Sequence, residues 1–87
     1  MLSAIICDKN KSGREQLYRL LNSIYRGKVD ILGEFDSIEP LNFFLMGDEH
    51  EPVDIAFVHT EFDEKHGADI AESIIKYQPA AQIIYIT

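Results

Sequence analysis

The chain has 87 residues, with 15 acidic against 8 basic side chains for a formal net charge of −7, and 46% of its residues are hydrophobic. A domain of this length buries only about 60–65% of its unfolded surface, enough for one core but not for a substrate domain beside a catalytic one, which excludes large multidomain enzymes. The 26% charged share is that of an ordinary folded domain and excludes disorder, collagen-like repeats and coiled coil.

A nucleic-acid backbone is tracked by clustered lysine and arginine, whereas the eight here run from Lys9 to Lys76 in an acidic chain; no nucleic-acid binding by this domain itself is expected. The single cysteine, Cys7, closes an apolar run (Ala4, Ile5, Ile6), where a reduced thiol packs as a small hydrophobe and fits the reducing cytoplasm. No segment approaches the roughly 20 apolar residues of a membrane span. The start also lacks a basic stretch followed by a long apolar one, so neither membrane insertion nor export is expected.

In chain order, Leu2 to Cys7 reads as the first strand, short and almost continuously apolar, as in strands covered on both faces of a parallel sheet. A helix follows, with Leu17, Leu20, Leu21 and Ile24 at the i, i+3, i+4, i+7 spacing of a buried stripe. Ser12 with Glu15 three residues later reads as its capping box. Val29 to Phe35 is the second strand. Asp36 or Ser37 is then placed to cap a short helix that has Pro40 in its first turn, buries Leu41, Phe44 and Leu45, and stops at Gly47. Val53 to Val58 is the third strand. The last helix runs from about Ala68 to Tyr77 with Ile70, Ala71, Ile74 and Ile75 inward, Asp69 and Glu72 near its N-terminus and Pro79 beyond its end. Gln82 to Thr87 is the fourth strand.

The order βαβαβαβ, with no repeat or linker, predicts a single α/β domain over 1–87 with right-handed crossovers and a parallel sheet. Ligands of such sheets gather at the carboxyl ends of the strands. After the first strand stand Asp8, Lys9 and Asn10; after the third come His59, Thr60, Glu61, Phe62, Asp63, Glu64, Lys65, His66 and Gly67; the fourth ends in Thr87.

This arrangement resembles the flavodoxin-like receiver domain of two-component response regulators, and Ile5-Ile6-Cys7-Asp8 together with Gln82-Ile83-Ile84-Tyr85-Ile86-Thr87 is similar to the LytTR-type branch. The resemblance covers the whole chain up to the fourth strand, without the final helix, strand and helix of the family. It implies a phosphoryl group received from a histidine kinase on an aspartate at the end of the third strand, and His59 stands at that position, with Gly67 as the loop glycine. It also implies an acidic pair after the first strand, of which Asp8 is kept and the second acid is replaced by Lys9. Thr87 matches the family's hydroxyl residue at the end of the fourth strand. Phosphoryl transfer rests on charge neutralisation by a magnesium ion held by oxygen ligands, and two of the three carboxylates of that site are replaced. The resemblance therefore implies a non-enzymatic pseudo-receiver, without metal or other cofactor, that acts as a protein-interaction module.

Several alternatives stand beside it. His59, or a nearby carboxylate such as Asp63, is an alternative phosphoacceptor, in what would be the N-terminal part of a DNA-binding transcription regulator. His59, Asp8, Asp63 and His66 are zinc-type ligands without diagnostic spacing. Asp8 is expected to pair with Lys9 or to cap its loop. A nucleotide-binding module is disfavoured because Gly13 is the only nearby glycine after the first strand. The acidic run Glu61, Asp63, Glu64 reads as a solvated loop. Finally, the fourth strand is apolar on both faces with no helix after it, so either self-association or a protein partner at this strand and the adjacent uncovered sheet faces is expected to cover it, or the residues are a fragment of a longer protein.

Overall fold

The structure is a computed structural model that describes residues 1–62 and 67–87. Its elements are β1 (Leu2–Cys7), α1 (Lys11–Ile24), β2 (Val29–Phe35), α2 (Ile38–Met46), β3 (Ile55–His59), α3 (Gly67–Tyr77) and β4 (Gln82–Ile86). All pairings are parallel and the strand order is β2-β1-β3-β4. The fold is thus the expected α/β arrangement, and its strand order is that of the flavodoxin-like sheet as far as the fourth strand.

Each strand's alternation divides the core in two. Ile5 and Cys7 of β1, Ala56 and Val58 of β3, and Phe35 of β2 face Leu41 and Leu45 of α2 and Ile70 and Ile74 of α3. On the opposite face Ala4, Ile6 and Phe57 meet Leu21 of α1, with Leu17, Val29, Ile31, Ile55 and Ile86 partly buried around them. Two helices cover one face and a single helix the other.

Five details depart from the sequence reading. The cap of α1 is not Ser12 with Glu15 but Asn10, whose side chain accepts the backbone N–H of Ser12 at 2.9 Å and of Gly13 at 3.4 Å. An Asn placed just before the first turn satisfies the same orphan donors one step earlier. The predicted stripe of α1 is only partly used: Leu21 is buried and Leu17 half-buried, but Leu20 and Ile24 are exposed, as is Ile75 of α3. β3 begins at Ile55 rather than Val53, because the Asp54 carboxylate accepts the Ser3 N–H at 2.7 Å and Val53 N–H bonds the Gln78 side chain at 3.0 Å. Gly67 opens α3 instead of standing in the loop. The short α2 begins after Ser37, whose hydroxyl donates to Asp36 at 3.2 Å rather than capping the helix.

The two edges of the sheet differ. β2 carries Asp30 and Glu34 and a register shift opposite Ala4 and Ile5, which are devices that discourage a further strand. β4 pairs with β3 in unbroken register from Gln82 to Ile86 and contains no charged residue. Ile84 and Tyr85 are 43% and 50% exposed. Among the described residues no helix is long and apolar enough to cross a membrane.

Candidate functional site

The chain leaves β1 for β2 on one side of it and later enters β3 on the other, so the carboxyl ends of β1 and β3 flank the point where strand order reverses. A crevice opens there in sheets of this type because the two connections diverge. It is present as a groove of about 270 Å³ lined by Asp8, Gly13, Gln16, Leu17, Leu20, His59, Ile86 and Thr87. Three positions far apart in sequence, Asp8, His59 and Thr87, are therefore brought to one groove. Lys9 is not: its side chain is exposed and does not line it.

Asp8 is held from several directions. Its backbone N–H extends the ladder to the Phe35 carbonyl at 3.1 Å, and its Oδ1 accepts the Asn10 N–H at 2.9 Å. Its carbonyl accepts the Arg14 guanidinium at 2.7 Å, and Arg14 also lies 4.0 Å from Glu34. Asp8 thus caps its own loop, and the alternative pairing with Lys9 is absent: the ion pairs among the described residues are Lys11 with Glu15 and Arg14 with Glu34. Gly13 allows the close approach of α1, since a Cβ there would stand 2.5 Å from Asp8 Oδ2. The residues that sequence reasoning passed over are Asn10 and Arg14. The Asp-x-Asn spacing of a side-chain-capped turn signals the first; nothing local signals the second.

His59 is the last residue of β3, and the ladder continues past it through Thr60 N–H to the Ile86 carbonyl at 3.0 Å. Its Nδ1 lies 3.1 Å from the backbone N–H of Glu61. A backbone amide can only donate, so Nδ1 is the acceptor and the neutral ring carries its proton on Nε2. Both nitrogens are thereby occupied: one lone pair is engaged by Glu61 and the other nitrogen is protonated.

Just before Asp8, Cys7 is fully buried in the layer under α2 and α3, and burial pushes its thiol up from 9.0 to about 12. It is a protonated packing group, not a nucleophile.

Among the described residues Asp8 is the only carboxylate lining the groove. Magnesium requires an octahedral set of oxygens, and this donor set, one carboxylate with a histidine and a threonine, does not fit it. Among the described residues there is no group of three His, Cys, Asp or Glu side chains placed to hold a metal ion. Asp63 and His66, the other zinc-type candidates, and Asp63 as alternative phosphoacceptor lie outside the described residues, as do Glu64 and Lys65. No protein-family model matches the chain, and no curated protein matches it.

Proposed function

We propose that this domain is a receiver-like module of two-component signalling that acts by binding a protein partner and not by accepting phosphate. The observation that carries this is the composition of the rim groove: His59 stands at the end of β3, where a receiver has its acceptor aspartate, and Asp8 is the sole carboxylate beside it among the described residues. With one carboxylate among the described residues to hold a divalent cation, the charge of an incoming phosphoryl group is left poorly neutralised. The amide of Glu61 on His59 Nδ1 also disfavours the imidazole as a nucleophile, since attack from Nε2 needs the other tautomer.

The surface offered to a partner is β4 with its adjoining sheet face. A bare, uncharged edge presents unpaired backbone N–H and C=O groups to any chain that can add a strand, and Ile84 and Tyr85 of β4 lie exposed on it. The partner is a protein chain, a histidine kinase or a second copy being the two that the receiver resemblance suggests, and the setting that fits is the cytoplasm.

Incubation with acetyl phosphate and magnesium chloride tests the assignment. Intact-mass measurement is expected to show no added phosphate. A phosphoryl adduct overturns it: one stable in acid points to an aspartyl acceptor, and an acid-labile one that is lost in His59→Gln identifies His59.

A further inference from the structure

Charge is divided along this chain in a way that its net value conceals. Residues 1–28 hold six of the eight basic side chains and two acids, whereas residues 29–64 hold eleven acids and neither lysine nor arginine. The fold turns this division into two surfaces, because α1 packs on one face of the sheet and α2 on the other.

On the acidic side an open cleft of about 660 Å³ is walled by Phe35, Pro40, Phe43, Phe44 and Met46 and ends at Asp48, Glu49 and His50. Its volume is that of a binding pocket, for which about 300–1,000 Å³ is usual. The wall is ordered. Phe44 stacks on the His50 ring at 4.0 Å and meets Phe35 at 5.2 Å, and the His50 ring is held by donation from Nδ1 to the Glu51 carbonyl at 2.7 Å. Phe43 and Met46 are nevertheless 85% and 69% exposed, a contiguous apolar patch with an acidic rim of the kind that marks a protein contact.

On the other side, Leu20 and Ile24 lie four residues apart on one stripe of α1 and are 52% and 61% exposed. Arg19 of α1 and Arg26, in the turn just past its end, are exposed and form no ion pair among the described residues. A basic, apolar helix surface is what the acidic aromatic cleft lacks.

We propose that the α2 cleft receives the α1 surface of a second copy of this chain, with Arg19 and Arg26 against Asp48 and Glu49, and Leu20 and Ile24 against Phe43 and Met46. Charge complementarity selects this occupant: two acidic clefts facing each other would repel, and the complement of the cleft is carried by the chain itself. The contact is heterologous. Because its two halves lie on opposite faces of the sheet, each added copy leaves one cleft and one α1 surface free, and copies add in line instead of closing as a two-fold dimer. This goes beyond the interaction-module assignment and does not depend on phosphorylation chemistry.

Sedimentation velocity tests it. The mass average is expected to rise with protein concentration in about 50 mM salt, and the association constant to fall at least about tenfold in about 500 mM salt, as exposed charges are screened. The double reversals Arg19→Glu with Arg26→Glu, and Asp48→Lys with Glu49→Lys, change only exposed side chains, and circular dichroism checks that each variant is folded. Each variant alone is expected to be monomeric, while an equimolar mixture associates again, since each reversed surface meets its opposite on the other chain. A wild type that stays monomeric at low salt up to about 1 mM, or reversed chains that fail to recombine, overturns the proposal. Association that survives either reversal also overturns it and assigns the contact to the β4 edge.

Discussion

The two faces of the sheet have been built from similar strands and finished differently. On the α2 and α3 side, twelve buried residues form one cluster that includes Leu41, Phe62, Ile70 and Ile74; on the α1 side only Ala4, Ile6, Leu21 and Phe57 are buried together. The strands supply apolar side chains to both faces, so the difference lies in the cover. Two helices close one layer, whereas one helix spans part of the other and leaves Leu20, Ile24 and Ile84 in contact with water. Stability is thus concentrated on the α2 and α3 side, whereas exposed apolar groups occur on both sides, Leu20, Ile24 and Ile84 on one and Phe43 and Met46 on the outer surface of α2 on the other. Only these exposed groups matter for a partner, because an apolar group already removed from water has nothing further to gain from one.

Substitutions sharpen that contrast. Leu41→Ala, on the closed face, removes a side chain with no exposed surface and is expected to lower stability by about 2–5 kcal/mol, a large part of the roughly 5–15 kcal/mol available to a domain; urea unfolding measures it. An equal loss from Leu20→Ala would erase the distinction between the faces.

A smaller effect comes from the ionisable group within the closed face. The thiol of Cys7 titrates at 9.0 in the unfolded chain and at about 12 when buried. Between these values the unfolded state holds fewer protons than the folded one, so stability falls as pH rises. The stabilising contribution of the neutral thiol is complete below pH 9 and is lost as pH climbs toward 12. By pH 10 the loss is expected to be about 1 kcal/mol, read as the difference in pH dependence between the wild type and Cys7→Ala. Parallel curves for the two proteins would show that this core admits water.

The smallest change in stability belongs to the open face. Leu20→Ser is expected to stay within about 0.5 kcal/mol of wild type in urea unfolding, while weakening whatever association sedimentation detects. A large loss of stability there would mean that Leu20 is already packed and that the α1 surface is not available to a partner.

Much of this was legible in the residues. The four strands could be found from short runs rich in isoleucine and valine, although the continuity that reports cover on both faces in β1 and β3 is also present in β4, where Ile84 and Tyr85 are exposed. The convergence of Asp8, His59 and Thr87 also followed, because parallel strands in one sheet end on one rim. Other features were not legible for specific reasons. Ser12 and Glu15 satisfy the spacing of a capping box, yet Asn10 reaches the same amides from a better position, and two good caps in one stretch are separated only by the path of the chain out of β1. Lys9 follows Asp8 directly, but the turn closed by Asp8 Oδ1 and Asn10 N–H leaves it outside the groove. The exposure of Leu20, Ile24 and Ile75 contradicts their periodicity without contradicting their helices: an amphipathic stripe states which side chains share a face, not how much of that face a neighbour covers.

By itself, then, the order of residues determined the element types, the parallel α/β class and the set of side chains arriving at the strand ends, because local periodicity and chain direction suffice for these. Tertiary structure alone decided which face of the sheet is closed, that Arg14 holds the Asp8 carbonyl, that the His59 ring is engaged by Glu61, and that α1 and α2 lie on opposite sides of the sheet. Each of these depends on distances between segments remote from one another or on a turn's path in space, and neither is written in the spacing of neighbouring residues.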